Sequence, residues 1–69
     1  MTDRYYARSA SDRTDDWPFW LVADRRLGGV NQTAEVMDQV GFPRAPGQVL
    51  CDREIAEHVA ARANAEVTG

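Results

Sequence analysis

The hydrophobic pattern of this 69-residue chain divides it into an N-terminal part with strand-like runs and a C-terminal part with helical periodicity. Residues 4–8 contain two adjacent tyrosines and are typical of a short strand. Residues 17–23, with the sequence WPFWLVA, are aromatic and β-branched and predict a second strand. Residues 9–16 between these runs are polar, which predicts an exposed loop.

The strand predicted at residues 17–23 is apolar on both faces. Pro18 belongs at its start or on a sheet edge, because proline cannot donate a hydrogen bond to a neighbouring strand. Alternation gives the strand two sets of side chains, one on each face: Phe19, Leu21 and Ala23, and Trp20 and Val22. Two apolar faces indicate either burial on both sides or a binding face.

The clearest helix is predicted at about 52–66. Asp52 is suited to the N-cap, and Glu54 to the positive end of the helix dipole. One predicted face is apolar and rich in alanine, which allows close approach to a sheet: Ile55, Ala56, Val59, Ala60, Ala63 and Val67. The opposite face is polar: Arg53, Glu54, Glu57, His58 and Asn64. Asn64 also suits fraying or termination of the helix.

Residues 30–40 fit two interpretations. As a strand, they point Val30, Ala34 and Val36 inward. As a helix, they use Thr33 as the cap and end at Gly41, with an apolar stripe of Val36, Met37 and Val40. A short strand near Val30 that leads into a helix combines the two.

We therefore expect one α+β domain over residues 1–69. A small antiparallel sheet of two or three strands packs against the C-terminal helix at about 52–66, with a short middle helix if residues 30–40 are helical. A core of this size supplies only ~3–5 kcal/mol, so such chains often depend on a partner or on self-association.

The net charge of the chain favours a protein partner over a nucleic acid. The chain has eleven acidic residues, eight arginines and no lysine, and its formal net charge is −3. Nucleic-acid binding needs a basic footprint, so we expect no direct contact with nucleic acid and instead docking on a basic protein surface. The chain has no apolar stretch long enough to cross a membrane and none at its N-terminus that resembles a signal peptide, so we expect a cytoplasmic location.

Groups suited to catalysis or metal binding are sparse. Cys51 and His58 are the only soft metal ligands, so we expect neither a metal nor another cofactor. A lowered pKa for Cys51 before a helix is one interpretation, and a structural, half-buried thiol is the preferred one. His58 with Glu54 or Glu57 fits a surface charge ladder better than a catalytic pair, so we expect no enzymatic activity.

The candidate partner-binding residues are the two tryptophans and the carboxylates near them in sequence. Tryptophan is common both at binding hot spots and in small cores, so we expect one tryptophan in the core and the other partly exposed. Spaced carboxylates can mimic a phosphate backbone, although an acidic loop also has the simpler role of keeping the chain soluble. The candidates are Asp12, Asp15, Asp16, Trp17, Trp20, Asp24, Glu35 and Asp38.

Three segments resemble small proteins encoded by phages and prophages of GC-rich bacteria: YYARSASDRTDDWPFWLVADRR, GGVNQTAEV and DREIAEHVAARANAE. Several anti-CRISPR proteins belong to this class of size and charge. The resemblance implies an inhibitor in the bacterial cytoplasm that binds a Cas protein of a type I effector complex (Cascade) and blocks recognition of DNA or of the PAM. Because eight arginines offset most of the acidic charge, docking through aromatic and acidic residues together fits better than DNA mimicry alone.

A different class of function is also compatible with the chain. A small phage structural or regulatory accessory protein would self-associate, for example as a homodimer, through the aromatic strand. A stable oligomer without affinity for a Cas complex would distinguish this alternative from the inhibitor.

Overall fold

The computed structural model describes residues 3–11, 13–14 and 16–66, and the backbone of residues 67 and 68. Three strands form an antiparallel sheet in the order β1-β2-β3, and a 3-10 turn and two helices complete the fold. The elements in chain order are β1 (Tyr5–Ser9), β2 (Trp20–Asp24), the 3-10 turn (Arg25–Leu27), β3 (Val30–Asn31), α1 (Thr33–Val40) and α2 (Arg53–Thr68). The predicted α+β class, with a C-terminal helix and a short middle helix, is confirmed.

β2 is the central strand, and all five of its residues are buried. It pairs with β1 on one side, whereas on the other side β3 is too short to cover it. Trp20 and Cys51 exchange two backbone hydrogen bonds there, at 2.6 and 2.8 Å, and the Val22 N–H donates to the Thr33 hydroxyl at 2.9 Å. These partners satisfy backbone groups of β2 that β3 does not reach, which is a condition for burying a strand.

Both helices lie on the same face of the sheet. The buried face of α2 is rich in alanine, as predicted, and this allows the helix to pack closely on β1 and β2. Trp20 and Val22 point into the core from β2. The complete cluster comprises Tyr5, Trp20, Val22, Val36, Met37, Val40, Cys51, Ala56, Val59, Ala60 and Ala63.

The opposite face of the sheet is not covered by either helix. Leu21 and Ala23 are buried but lie outside the main cluster. The β1–β2 register places Arg8 opposite Leu21 and Tyr6 opposite Ala23, so these longer side chains share that face and shield the two apolar ones. We call this the outer face.

Residues 30–40 combine the two predicted interpretations, because β3 is followed directly by α1. Gly41 ends α1 with a φ of +74°, as predicted. The strand interpretation beyond Asn31 is wrong, and so is the prediction that Thr33 caps the helix. Thr33 is the first helical residue, and its hydroxyl is used by the sheet, as the acceptor for Val22. The Asn31 side chain instead accepts the Thr33 backbone N–H, at 3.0 Å.

α2 begins as predicted and continues further than predicted. The Asp52 carboxylate accepts the Ile55 backbone N–H at 2.8 Å, which confirms Asp52 as the cap. The helix does not end at Asn64, and Asn64 does not belong to the solvent face. Its side-chain amide accepts the Tyr5 N–H and donates to the Tyr5 carbonyl, both at 2.9 Å. Asn64 thus takes the place of a residue in a neighbouring strand and covers this part of the β1 edge.

Candidate functional site

The two tryptophans, three residues apart, occupy opposite environments. Trp20 is 7% exposed, whereas Trp17 is 46% exposed, so the prediction of one core and one partly exposed tryptophan is confirmed. Phe19 is 51% exposed, and its ring centroid lies 6.4 Å from that of Trp17 with the planes inclined by 60°. This separation is typical of a favourable aromatic pair. We call Trp17 and Phe19 the aromatic patch.

The backbone under the aromatic patch is anchored to the folded core. The indole N–H of Trp20 donates to the Trp17 carbonyl at 2.9 Å. The Phe19 carbonyl accepts the Ala10 N–H at 3.0 Å, which continues the β1–β2 ladder. Between them the Pro18 ring restricts φ. The patch is therefore presented on a backbone with little freedom left to lose on binding.

Trp20 was a candidate for partner contact, but the structure buries it in the core. Its backbone pairs with Cys51, and the Arg53 guanidinium lies 4.9 Å from its ring centroid. Arg53 also donates to Glu57 at 2.9 Å, one helical turn away. Trp20 therefore ties the backbone of the patch to the core, because its ring is packed there and its indole N–H donates to the Trp17 carbonyl.

The acidic loop before the patch is described only in part. Asp16 directly precedes Trp17 and is exposed, and its backbone N–H donates to the Thr14 hydroxyl at 3.0 Å. The candidates Asp12 and Asp15 lie outside the described residues. Asp16 is therefore the candidate carboxylate that the structure places next to the exposed aromatic rings.

Asp24, another candidate, is only 2% exposed. Its carboxylate accepts hydrogen bonds from the Arg4 guanidinium, the shortest at 3.0 Å, and from the Arg26 backbone N–H at 2.9 Å. The Arg4 guanidinium holds the pKa of Asp24 below its usual range, and the Arg26 N–H acts in the same direction. This carboxylate links Arg4, next to β1, to the 3-10 turn. Because of these hydrogen bonds within the fold, it is not free to contact a partner.

The remaining carboxylate candidates, Glu35 and Asp38, are exposed on α1. Arg44 donates to both oxygens of Asp38, at 3.0 and 2.8 Å, and lowers the pKa of that carboxyl. Glu35 and Asp38 lie on α1, which packs against β2 and α2. The six candidates that the structure describes therefore do not form one surface: Asp16 and Trp17 belong to the patch region, Trp20 and Asp24 to the interior, and Glu35 and Asp38 to α1.

A second surface feature lies between the end of α1 and the start of α2. It is a shallow depression of about 240 Å³, lined by Phe42, Glu54, Ile55 and His58. The Phe42 and His58 ring centroids are 5.9 Å apart. His58 is exposed, as predicted for the polar face of α2. Within the described part of the chain, no group of three or more His, Cys, Asp or Glu side chains could hold a metal ion.

Cys51 was expected to be a structural, half-buried thiol, and the structure buries it more fully, at 7% exposed. Its thiol is buried beside the Trp20 backbone pair. Burial raises its pKa to about 11, and the negative charge of Asp52 acts in the same direction. The alternative of a lowered pKa is therefore wrong, since at neutral pH this thiol stays protonated.

Phe19 is the exposed residue that the sequence reasoning missed. The strand was predicted to begin at 17, which made Phe19 an internal strand position, whereas β2 begins at Trp20. Pro18 was the available signal, because a proline places its neighbours near the end of a ladder. Other large apolar side chains that are about half exposed are Leu27, Val30 and Val49.

None of the described helices is both long enough and apolar enough to span a bilayer. No protein-family model matches this chain, and no curated protein and no solved structure matches it.

Proposed function

We propose that this protein acts without enzymatic turnover, by binding a partner protein through the aromatic patch and the acidic residue Asp16 beside it. The observation that supports this most is the exposure of two adjacent aromatic rings on an anchored backbone. Tryptophan is enriched at binding hot spots, where truncation costs about 2 kcal/mol or more. A side chain that only filled the core would be enclosed, as Trp20 is.

Anchoring makes the patch better suited to binding. A flexible loop loses conformational entropy when it docks, and this loss weakens the complex. The hydrogen bonds from Trp20 to Trp17 and from Ala10 to Phe19 remove much of that freedom in the unbound protein. Less of the favourable contact energy of the two rings is therefore offset by loss of conformational entropy, and the affinity is higher.

The charge distribution favours a partner with a basic surface. Residues 33–68 hold six acidic side chains and three arginines, whereas residues 1–32 hold five of each, so the net charge of −3 belongs to the helical half. Such asymmetry steers association with a cationic surface and speeds encounter. Exposed charges are screened by salt, so this contribution depends on ionic strength.

The partner that we propose is a Cas protein of a type I effector complex, and the result of binding is blocked recognition of DNA or of the PAM. This choice follows from the resemblance of three segments to small phage and prophage proteins. A DNA-binding channel is basic, and a chain with an acidic helical half and an exposed aromatic pair is suited to dock at its rim.

The test is a binding measurement with purified type I effector complexes at low and high salt. The double variant Trp17→Ala, Phe19→Ala is expected to bind at least about tenfold more weakly, the factor for 1.4 kcal/mol. Leu27→Ala is the matched control, because Leu27 is also about half exposed but lies on the 3-10 turn. Full binding by the double variant would exclude the patch as the interface, and capture of no complex would exclude the proposed target.

A second candidate function is self-association through the aromatic patch at the start of the aromatic strand. It is favoured by the exposure of Trp17 and Phe19, at 46% and 51%, directly before β2. Light scattering would detect a mass of twice the 7.7 kDa of the chain. A dimer that the double variant abolishes, together with no affinity for any Cas complex, would support this function over the inhibitor.

A further inference from the structure

The depression between α1 and α2 combines an apolar floor with a polar rim. Phe42 and Ile55 are half-buried and pack against the core, whereas Glu54 and His58 are exposed. At about 240 Å³ it is smaller than the ~300–1,000 Å³ typical of small-molecule pockets. Its size suits a single side chain of another protein.

Glu54 differs from the other carboxylates around it. Asp38 is paired with Arg44, and Glu57 is paired with Arg53. The Glu54 carboxylate, by contrast, makes neither a hydrogen bond nor an ion pair with any residue that the structure describes. The carboxylate at the rim of the apolar depression is thus available to a cation from outside.

We propose that this depression binds an arginine side chain of a partner protein. The aliphatic stem of arginine would pack on Phe42 and Ile55, because such stems commonly cover apolar surface while the charged end remains polar. The guanidinium would donate to Glu54 and stack on the Phe42 or His58 ring, since a planar guanidinium does both.

Other occupants match the depression less well. An anionic group would meet the Glu54 carboxylate and the net charge of −3 of residues 33–68. An apolar side chain would cover the rim and leave the carboxylate desolvated without a partner. A lysine can pair with Glu54, but its ammonium lacks the planar face that stacks on an aromatic ring.

This site is separate from the aromatic patch. It is built from Phe42, which follows α1, and from the first half of α2, whereas the patch precedes β2. A basic partner could therefore be held at two places, but binding of an arginine at the depression does not require the patch. Trp17→Ala is expected to leave it unchanged.

The experiment is an NMR titration of the full chain with N-acetylarginine methylamide. We expect saturable shifts in the signals of Phe42, Ile55 and His58. The matched probe is N-acetylcitrulline methylamide, which has a similar shape and no charge. Nα-acetyllysine methylamide keeps the charge but lacks the planar guanidinium, so it tests whether that group is required. Citrulline is expected to cause little shift, and lysine to bind more weakly than arginine.

Two variants separate a local site from general attraction by an acidic protein. Glu54→Gln is expected to weaken arginine binding about fivefold, within the range for exposed ion pairs. Glu66→Gln removes the same charge from the same helix about 18 Å away, at 1.5 Å per residue, and is expected to have no effect. Equal effects of the two variants, equal binding of citrulline or lysine, or no shifts at Phe42 and His58 would each overturn the proposal.

Discussion

The two faces of the sheet are made by the same strands and have different surroundings. On the helix-covered face, Trp20 and Val22 are enclosed by both helices. On the outer face, Leu21 is buried outside the main core cluster, opposite Arg8, and Phe19, two residues before it, is about half exposed. The difference teaches that one apolar strand segment can have two roles. Its helix-covered face stabilises the fold, and we propose that its exposed aromatic end binds a partner.

The largest effect is expected for Trp20→Ala, which tests the helix-covered face. Removal of a buried tryptophan typically costs about 3–5 kcal/mol, and a domain of this size has little more than that to lose. We therefore expect most of the variant to be unfolded at room temperature. Circular dichroism and urea unfolding would check this, and a cooperative transition near that of the parent would contradict the assignment of Trp20 to the core.

Asn64→Ala is expected to have the next largest effect. The variant leaves the Tyr5 N–H and carbonyl without the amide that now pairs with both, at an expected cost of about 1–3 kcal/mol. The free edge of β1 should also promote self-association, which light scattering would detect. Glu66→Ala on the same helix is the control, and equal unfolding midpoints for the two variants would remove the edge-covering role of Asn64.

The ion pair of Asp24 with Arg4 is expected to make the free energy of unfolding depend on pH. The pKa of Asp24 is lower in the folded chain than in the unfolded chain, mainly because Arg4 donates to it. The stabilisation is therefore complete above the unfolded value of about 3.9 and is lost as the pH falls through the lower folded value. Urea unfolding at pH 7 and at about pH 3 should show a smaller pH effect in Asp24→Asn than in the parent.

Asp38 provides the comparison for this pH dependence. It makes the same two-oxygen contact with Arg44, but in an exposed position. Water and salt weaken such a pair, so we expect Asp38→Asn to change the pH dependence less than Asp24→Asn does. A larger effect at Asp38 would show that the fold depends on the α1 surface more than on the joint between β1 and the 3-10 turn.

The smallest effect on stability is expected for Trp17→Ala, which tests the exposed aromatic patch. Substitution of an exposed side chain usually changes the free energy of unfolding by less than about 0.5 kcal/mol. Its effect on partner binding should nevertheless be large. Urea unfolding would measure the first quantity, and a loss comparable with that of Trp20→Ala would mean that the two tryptophans have the same role.

Several local features could be predicted because their causes lie within a few residues. The alanine-rich apolar repeat predicted α2, Asp52 capped it, and Gly41 ended α1. The aromatic run predicted β2, although the strand begins at Trp20 and not at residue 17. In each case the predictive signal lies within a short stretch of sequence, as a period, an aromatic run or a capping residue.

The features that were missed depend on distant partners. Asn64 bonds a residue 59 positions away, Asp24 pairs with Arg4 20 positions away, and Thr33 serves Val22 11 positions away. No local pattern separates these polar residues from ordinary surface ones. Asn64 and Thr33 have these roles because folding brings them to strand backbone groups that no other strand pairs. Asp24 has its role because folding brings it to the Arg4 guanidinium.

The sequence by itself determined the kinds of element, the single small α+β core, the modest acidic charge and the concentration of aromatic residues around Trp20. The tertiary structure alone decided that Trp17 and Phe19 face solvent, that Asp24 is occupied and that Glu54 borders a depression. The physical reason is that hydrophobic character sets whether a side chain favours burial, whereas the packing of both helices on one face sets which side chains can be buried.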